Sequence, residues 1–512
     1  MNRKALPFLL TGIALAQGVG DDFLRATPPV PLPAPLATVV DGLDTARIIR
    51  HLTYLTDPNR EGRGLGTKGL EATVHYLVEQ LKAAGIPPLE PSYLQAVPMR
   101  GVQPGKGSIH LQTPNGTFAF HAGRDAVLPP IEPGLLSGPM VFVGYGIQEP
   151  SLQHDDFHGV EVRGKIVIFL DGCPAGEAWR KPALVEKYAS PRPADRYDSR
   201  LAQLEKLGAK AAIALEAGLD RRIAEGKEPP LPYFLAARGV PGSGEPPLAR
   251  VALTPALSPL LASKVEGSAR VAIRGRTRVL QGFNVIGKVV GSDPALRQEA
   301  ILLGAHMDHL GLPGGVLHPG ADDNASGVAA LLEIARSIVA SPRPPRRTIL
   351  FTFWTGEEEG KFGSGHYTRH PRWPLATTMA YLNLDMIGHP WTPADLQALA
   401  TEAKAPKAFL TGLDPAHFAE PGLSTGHRDL GPVLKQAGQG TGMSLHLDWT
   451  DGKNGGSDYR DFARLNLPFV RFFGSYFPEY HKPGDTLDKL DPEQVKRMAR
   501  LVLATAWLLA DR

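Results

Sequence analysis

Cysteine is almost absent from this chain of 512 residues, in which Cys173 is the only one. A single thiol excludes an intramolecular disulfide framework and any metal site built from several cysteines. We expect Cys173 to behave as a small buried apolar residue, which is the usual state of a free cysteine. Stability must then come from an ordinary hydrophobic core, and a chain of this length can build one without disulfides.

The chain also lacks a large excess of either sign of charge. The formal net charge is +3, and no block of like charges interrupts the sequence. Nucleic acid is therefore not an expected partner. Hydrophobic residues make up 43% of the chain and charged residues 21%, which is typical of a globular protein.

Long apolar runs are missing as well, apart from one short run near the N-terminus. Arg3 and Lys4 precede an apolar run over residues 5–16, and Ala14-Leu15-Ala16 has the small-x-small pattern of a cleavage site. We predict a signal peptide over residues 1–16 and a secreted or periplasmic location. The residue directly after the predicted cleavage site is Gln17 and not a cysteine, so we expect no membrane anchor.

The pattern of apolar and polar residues in the remaining sequence changes twice, which predicts three parts. Residues 17–96 contain helical patterns, with Asp44 as an N-cap for a helix over about 45–55. Residues 97–275, here called the inserted module, carry short β-like runs without a cluster of metal ligands or of acid and base groups. Residues 276–512, here called the C-terminal domain, alternate strand and helix patterns.

The strands predicted in the C-terminal domain are strongly apolar, as strands buried on both faces are. They cover about residues 301–303, 349–354, 380–384 and 469–473. The predicted fold class is α/β, with a mixed, mostly parallel central sheet flanked by helices and with the mostly-β inserted module. Residues 391–455 are irregular and polar, and we predict that they form loops over a site.

Five short stretches at or just past the ends of these strands each offer a side chain able to bind zinc. Open α/β sheets present ligands at the carboxyl ends of their strands, so these side chains are expected to converge. Two imidazoles and three carboxylates suit two metal ions that share one carboxylate. The five residues are His306, Asp323, Glu358, Asp385 and His481.

Two further carboxylates lie beside these candidates. Glu357 precedes Glu358, and two adjacent glutamates cannot easily bind one metal, so one is expected to be a ligand and the other a general base or acid. Asp308 forms a His-x-Asp unit with His306, in which the carboxylate accepts the second imidazole N–H and fixes the tautomer. Each of these signals is weak alone. Because they occur repeatedly after apolar strands, together they indicate a metal-dependent hydrolase.

The stretches resemble the co-catalytic di-zinc aminopeptidase family of bacterial leucyl aminopeptidases and their transferrin-receptor-like relatives. The resemblance covers residues 280–390 and 455–512 closely and residues 45–90 more loosely. Its motifs are Gly-Ala-His-Met-Asp-His, Gly-Ala-Asp-Asp-Asn-Ala-Ser-Gly, Phe-Trp-Thr-Gly-Glu-Glu-Glu-Gly, Asn-Leu-Asp-Met-Ile-Gly and Tyr-His-Lys-Pro-Gly-Asp-Thr. The inserted module resembles a protease-associated domain, and the resemblance is carried by residues 141–146, Asp155-Asp156-Phe157 and residues 164–170.

The resemblance implies a role for each candidate and two Zn²⁺ per chain. His306 and Asp385 would hold one zinc, Glu358 and His481 the other, and Asp323 would bridge them. Glu357 would be the general base, Asp308 the partner of His306, and Tyr480 a donor to the developing oxyanion or a packing residue. Asp323 aligns with the bridging position better than Asp322, and a cis bond to Asn324 is expected.

The expected activity is removal of residues from the free N-termini of peptide substrates. Carboxypeptidase or dipeptidase specificity is the main rival, since Arg460, Arg464 and Arg471 lie near the last ligand and could grip a substrate carboxylate. A single-zinc acyltransferase resembling glutaminyl cyclase and a non-catalytic receptor-like module also stay open. Ser457-Asp458-Tyr459 departs from the family's frequent Ser-Asp-His. The remaining nearby histidines, His309, His318, His366 and His389, are expected to be structural or to line the rim.

Overall fold

The computed structural model describes residues 22–26, 30–114, 116–128, 134–189, 193–225, 235–236, 246–261 and 266–512. The predicted signal peptide lies outside the described residues. None of the helices in these ranges has the length and apolarity that a bilayer crossing requires.

The N-terminal part is mainly helical. Its elements are β1 (Phe23–Leu24), α1 (Leu36–Asp41), α2 (Thr45–Thr56) and α3 (Lys68–Ala83). The predicted cap is confirmed, because the Asp44 side chain accepts a hydrogen bond from the backbone N–H of Ala46 at the start of α2.

The inserted module follows. Its elements are β2 (Leu94–Thr113), β3 (Gly116–His121), β4 (Ala126–Val127), β5 (Gly134–Phe142), β6 (Gln148–Glu149), β7 (His154–Asp155), β8 (Ile166–Leu170), α4 (Pro182–Ala189), α5 (Pro193–Lys206), β9 (Ala211–Ala217), α6 (Leu219–Ala224), β10 (Leu235–Ala236), β11 (Leu248–Leu253), α7 (Ser258–Leu261) and β12 (Glu266–Val289). The predicted boundaries at residues 97 and 275 both fall inside a strand, β2 and β12, and the division of the chain stays a prediction.

The C-terminal domain completes the chain. Its elements are β13 (Ala300–His306), α8 (Gly327–Val339), β14 (Thr348–Trp354), α9 (Phe362–Arg369), β15 (Thr378–Leu384), α10 (Pro393–Glu402), α11 (Lys407–Leu410), β16 (Phe418–Ala419), β17 (Gly422–Ser424), α12 (Leu430–Thr441), β18 (Ser444–His446), β19 (Asp448–Thr450), α13 (Tyr459–Ala463), β20 (Phe469–Phe472) and α14 (Pro492–Asp511).

The central sheet has the predicted mixed, mostly parallel character. In the C-terminal domain the strand order is β19-β17-β20-β15-β13-β14-β12. The pairs β13–β14, β13–β15 and β15–β20 are parallel, while β12 runs antiparallel to β14. In the β13–β14 register, His306 is level with Trp354, so the carboxyl ends of the central strands lie at one edge.

Both faces of this sheet are buried, which explains the apolar strand sequences. On one face, Ile301 and Phe351 pack in a core with residues of α2, α3, α8 and α14. On the other, Leu302 and Trp354 pack against a smaller cluster that includes Phe462 of α13. Alternate side chains of a strand point to opposite faces, so strands covered on both sides need apolar residues throughout.

The sheet continues from the C-terminal domain into the inserted module. β12 pairs antiparallel with β14 at one end and with β5 at the other, and the order then runs through β8, β9, β11 and β4. β2 pairs with β12 along nearly its whole length, from Leu94↔Val285 to Gln112↔Ser268. The module is therefore joined to the C-terminal domain by a two-stranded antiparallel ribbon.

The prediction that residues 391–455 form loops was wrong. This segment contains α10, α12 and four short strands. α12 buries Val433, Leu434 and Ala437, and its glycines obscure the helical pattern in the sequence. Thr392 and Asp395 form a capping box at the start of α10, a sequence signal that could have identified this helix.

Candidate metal centre and active site

The five predicted ligands lie at one edge of the sheet, as the strand order requires. His306 is the last residue of β13, Asp385 directly follows β15, and Glu358 follows β14 after a short turn. Asp323 lies in an irregular turn over Ala321–Ser326 that leads into α8. His481 comes from the loop between β20 and α14.

The two carboxylate oxygens of Asp323 face different imidazoles. Asp323 Oδ1 lies 3.4 Å from His306 Nε2, and Asp323 Oδ2 lies 3.0 Å from His481 Nε2. His306 Nε2 is also 3.2 Å from Asp385 Oδ1, and His481 Nε2 is 3.2 Å from Glu358 Oε2. The cluster thus divides into two imidazole–carboxylate pairs with Asp323 between them.

The donor set fits divalent metal ions. One ligand atom from each of His306, Asp323 and Glu358 lies within 4.8 Å of the others. Imidazole and carboxylate are ligands that zinc prefers. The side chains of His306, Asp323 and Glu358 are almost fully buried, whereas that of Asp385 is 16% exposed and that of His481 is 39% exposed.

The electrostatics of the cluster favour positive charge. Burial by itself would lower the pKa of His306, but Asp385 and neighbouring carboxylates raise it well above its ordinary value. The pKa of His481 is likewise raised, against the effect of burial, by Glu358 and Asp323. The carboxylates therefore create a negative potential that bound metal cations would neutralise.

The turn that carries Asp323 is fixed by hydrogen bonds from two neighbouring segments. Asp485 accepts from the backbone N–H groups of Asp322 (2.9 Å) and Asp323 (3.1 Å). Asn324 donates to the carbonyl of Leu384 and accepts from the N–H of Met386, so it links the turn to the residues on both sides of Asp385. The Asp323–Asn324 peptide bond is cis, which confirms that expectation.

Asp322 points away from the imidazoles. Its Oδ1 accepts from the backbone N–H of Gly388 at 2.7 Å, and burial raises its pKa well above the ordinary value. The arrangement agrees with the preference for Asp323 over Asp322 as a ligand.

We expected the carboxylate of Asp308 to contact the His306 imidazole. This prediction was wrong, because a different group of Asp308 makes the contact. His306 Nδ1 lies 3.2 Å from the backbone carbonyl oxygen of Asp308, not from its carboxylate. The carboxylate instead accepts from the backbone N–H groups of Glu357 (3.2 Å) and Glu358 (3.3 Å). Asp308 therefore positions both the imidazole and the glutamate loop, since a backbone carbonyl orients a ligating histidine as a carboxylate does.

Glu357 lies beside the cluster, and its environment suits proton transfer. It is 6% exposed, and Lys361 Nζ lies 2.9 Å from its Oε1. Burial raises the pKa of Glu357 to about 7, although Lys361 and His306 oppose the rise. A carboxyl with a pKa near neutrality can both accept and return a proton.

Sequence reasoning missed Arg63, which lies fully buried beneath the site. Its guanidinium donates four hydrogen bonds to backbone carbonyls, those of Leu55, Met307, Pro319 and Gly320, at 2.7 to 3.0 Å. These carbonyls belong to α2, the loop after β13 and the segment before Asp323. Burial lowers the pKa of Arg63 to about 10. The only sequence signal was its position in a glycine-rich turn.

His309 also proved closer to the site than expected. It is 2% exposed, and its Nδ1 lies 2.6 Å from Glu358 Oε1 and 3.7 Å from Asp323 Oδ2. His309 thus contacts the carboxylate oxygen of Glu358 that does not face His481. Its position three residues after His306, on the same loop, was the available signal. The other histidines lie farther out: His318 contacts the carbonyl of Val316, His366 stacks on His370, and His389 stacks on Phe477.

Tyr480 borders both the metal ligands and a cavity of about 480 Å³ that also reaches Asp385. Its ring stacks on that of His481, with 3.9 Å between centroids. Burial and the nearby carboxylates Asp323 and Glu358 raise the pKa of Tyr480, so the phenol keeps its proton. It is placed to donate a hydrogen bond near the cluster.

The three arginines considered for a carboxypeptidase are engaged elsewhere. Arg471 lines the cavity, but its Nη2 donates to Asp448 at 2.6 Å. Arg460 pairs with Asp461, and Arg464 donates to the carbonyl of Lys453. Ser457 accepts from Asn383, and the Tyr459 ring stacks on Phe469 beside the cavity.

Comparison with protein families and curated sequences gives a consistent result. The sequence pattern of the family described as Peptidase family M28 matches residues 284–506. The chain is 25% identical over 480 residues to the probable lipoprotein aminopeptidase LpqL of Mycobacterium tuberculosis, covering 88% of this chain and 81% of that protein. It is 27% identical to leupeptin-inactivating enzyme 1 of Streptomyces exfoliatus over 44% of this chain, and it spans only 48% of that relative's length.

Solved structures share the fold. An aminopeptidase from Aneurinibacillus sp. strain AM-1 aligns with a TM-score of 0.57 at 20% identity, covering 93% of this chain and 96% of that one. A peptidase M28 precursor from Shewanella amazonensis aligns with a TM-score of 0.52 at 17% identity, covering 93% and 96%. These alignments include the inserted module, so the likeness extends over the architecture of both parts.

Proposed function

Residues 284–506 belong to peptidase family M28, and we propose that the chain is a di-zinc aminopeptidase that removes residues from free peptide N-termini. One observation carries the proposal: the two oxygens of Asp323 face two separate imidazole–carboxylate pairs. A carboxylate in that position is suited to bridge two ions. In this assignment His306 and Asp385 hold one zinc, and Glu358 and His481 hold the other.

The metal pair, when bound, polarises the scissile carbonyl and makes a water more acidic. Glu357 accepts the proton of the attacking water and then donates it to the leaving amine. Its neutral-range pKa and its place beside the ligands support both steps. Tyr480 donates a hydrogen bond to the carbonyl oxygen as negative charge develops there.

Asp308 and His309 act through the ligands. Asp308 holds His306 through its backbone carbonyl and the glutamate loop through its carboxylate. His309 holds one oxygen of Glu358 and leaves the other facing His481. Such contacts around metal ligands usually contribute strongly to metal affinity.

The charges around the cavity favour an aminopeptidase over a carboxypeptidase. A carboxypeptidase needs a cation available to bind the substrate's terminal carboxylate. Arg471 is the arginine among the cavity-lining residues, and its charge is already matched by Asp448. A free α-amine, by contrast, is attracted to a site rich in carboxylates.

The decisive test substitutes the proposed base. Glu357→Gln is expected to keep two zinc ions per chain and to lower kcat on leucine anilide by about 10²–10⁴-fold, the usual contribution of a positioned acid–base group. Zinc is counted by mass spectrometry on the purified protein. Glu359→Gln, which changes the third of the three consecutive glutamates in the same loop, is the matched control and should retain wild-type turnover.

A comparison of substrates distinguishes the aminopeptidase from the other candidate activities. Free aminoacyl anilides should be hydrolysed and N-acetylated ones should not, whereas a carboxypeptidase would cleave N-blocked peptides from the other end. One zinc per chain with no hydrolysis would favour the single-zinc acyltransferase. No bound metal would favour a receptor-like module.

We also propose export, since residues 3–16 have the pattern of a signal peptide. N-terminal sequencing of the protein released outside the cytoplasm should begin at Gln17. The inserted module is proposed to be a protease-associated domain, on the basis of its sequence resemblance.

A further inference from the structure

The cavity beside the candidate metal centre has apolar walls and additional carboxylates, and the proposed catalytic roles do not account for either feature. It measures about 480 Å³ and is lined at one end by Asp385 and Tyr480 and elsewhere by residues of α10, β20 and the loop after β20. This volume is within the usual range for a small-molecule pocket and exceeds the needs of a small side chain. A substrate held at the metal centre would direct its first side chain into this space.

The walls of the cavity are apolar along much of their surface. Ala398 and Leu399 line it from α10, and Trp391, Phe473 and Tyr476 line it from the adjoining loops. Such walls favour a long aliphatic stem, which gains from leaving water.

Asp395 lies on the same face of α10 as Ala398 and Leu399, because residues three and four apart on a helix are neighbours. Its Oδ2 accepts from the backbone N–H and hydroxyl of Thr392 at 2.8 and 2.7 Å and from the hydroxyl of Ser475 at 3.3 Å. Within the described part of the chain, the donors that contact Asp395 are all neutral. Its negative charge is therefore not matched by a cation.

Glu420 adds a second carboxylate to the lining, and its Oε1 lies 2.7 Å from His446 Nδ1. Among the described residues that line the cavity, the one arginine is Arg471, which is paired with Asp448 outside the lining and is also attracted by Glu420. Carboxylates thus exceed available cations around the cavity, even without counting Asp385.

We propose that this cavity binds the side chain of the substrate's N-terminal residue and that Asp395, assisted by Glu420, selects a long side chain ending in a cation, as in lysine or arginine. The proposal rests on the proposed aminopeptidase activity. It assigns the apolar walls to the stem of the substrate side chain and the carboxylates to its charged end, where an unmatched charge strengthens the attraction.

The test compares lysine anilide with norleucine anilide, because the two side chains share a stem and differ in the terminal ammonium. For the zinc-loaded wild-type protein, kcat/KM for lysine should exceed that for norleucine by about tenfold, as expected for a partly desolvated charge pair. Asp395→Asn, which can keep the helix cap, should lower this ratio by about tenfold. Glu420→Gln should lower it less.

The matched control is Asp414→Asn, which alters an exposed capping aspartate outside the cavity. It should leave the values for both substrates unchanged. Both kcat/KM values are measured on the same sample of each variant. A loss of folded protein therefore lowers both values equally and does not change their ratio.

The outcomes distinguish this proposal from the proposed function. Hydrolysis of neither anilide by the zinc-loaded wild-type protein would overturn the aminopeptidase activity. Hydrolysis of both, with norleucine equal to or better than lysine, would overturn only the assignment of the cavity. If the lysine-to-norleucine ratio of kcat/KM is unchanged in both Asp395→Asn and Glu420→Gln, the assignment of the cavity is also overturned.

Discussion

The inserted module and the candidate metal centre are both built on neighbouring parallel strands, yet their buried carboxylates have different partners. In the module, Glu216 on β9 is fully buried and is contacted directly by Arg222, Arg250 and the Tyr197 hydroxyl. Burial would raise the pKa of Glu216, but the hydrogen bond and attraction of Arg250 bring it below the ordinary value. Its charge is satisfied within the protein.

At the candidate metal centre, a buried arginine from the N-terminal part makes none of its described hydrogen bonds to a carboxylate. Arg63 donates only to backbone carbonyls among its described contacts, and it fixes the loops that carry the ligands. The carboxylates of Asp323, Glu358 and Asp385 are left facing imidazoles. The comparison shows two uses of a buried arginine: in the module it pairs with the carboxylate, and at the candidate metal centre it holds the backbone and leaves the carboxylates facing imidazoles.

The largest effect is expected from Asp323→Ala. Both proposed zinc ions depend on this carboxylate, so kcat/KM should fall by about 10³-fold or more and bound zinc should be lost. Metal analysis and anilide hydrolysis measure the two effects. Full zinc occupancy in this variant would remove Asp323 from the bridging role.

The neighbouring residue provides a control for this prediction. Asp322→Asn changes a buried carboxyl that faces Gly388 rather than the imidazoles, and asparagine can still accept that hydrogen bond. It should keep its zinc.

The next effect is on stability and comes from Arg63→Lys. A lysine cannot reproduce the fork that donates to four carbonyls, so the free energy of unfolding should fall by about 2–4 kcal/mol. Denaturant unfolding of the zinc-loaded protein measures it. Arg60→Lys, at a partly buried arginine of the same turn whose Nη1 donates to Tyr54, is the control and should cost less than about 1 kcal/mol.

The smallest effect is expected in the module, from Glu216→Gln. It should lower the free energy of unfolding by about 1–3 kcal/mol near neutral pH without changing kcat. Because the pKa of Glu216 is lowered in the folded state, its stabilisation is present above the ordinary value of 4.5 and is lost as the pH falls below it. The difference from wild type should therefore shrink in acid.

A control in the same module is Glu205→Gln at an exposed position of α5, which should change stability by less than about 0.5 kcal/mol. A pH-independent loss in Glu216→Gln would contradict the ion-pair explanation.

The sheet and the five proposed ligands could be predicted because each leaves a local signal. A fully buried strand must be apolar throughout, as in Ala300–His306, and a parallel sheet brings its carboxyl ends together. The predicted α/β class and mixed sheet are confirmed for these reasons. The residue types at the strand ends then indicated a metal site.

The contacts of Arg63, Asp308 and His309 could not be predicted, because they depend on loop geometry and not on periodicity. No sequence pattern shows that a guanidinium will be buried among four carbonyls, or that an aspartate will use its backbone oxygen in place of its carboxylate. The cavity was missed for a related reason. Its wall includes α10, which lies in a segment that we interpreted as loops.

The ribbon of β2 and β12 has a further consequence. The chain enters the inserted module from the N-terminal part on β2 and continues to the C-terminal domain on the paired strand β12, with Met99 opposite Leu280. Topologically, everything from residue 100 to residue 279 is the tip of one β-hairpin. A two-residue Asn-Gly turn between Met99 and Leu280 would have the connection length that antiparallel partners require, so the N-terminal part and the C-terminal domain could be joined as one shorter continuous chain.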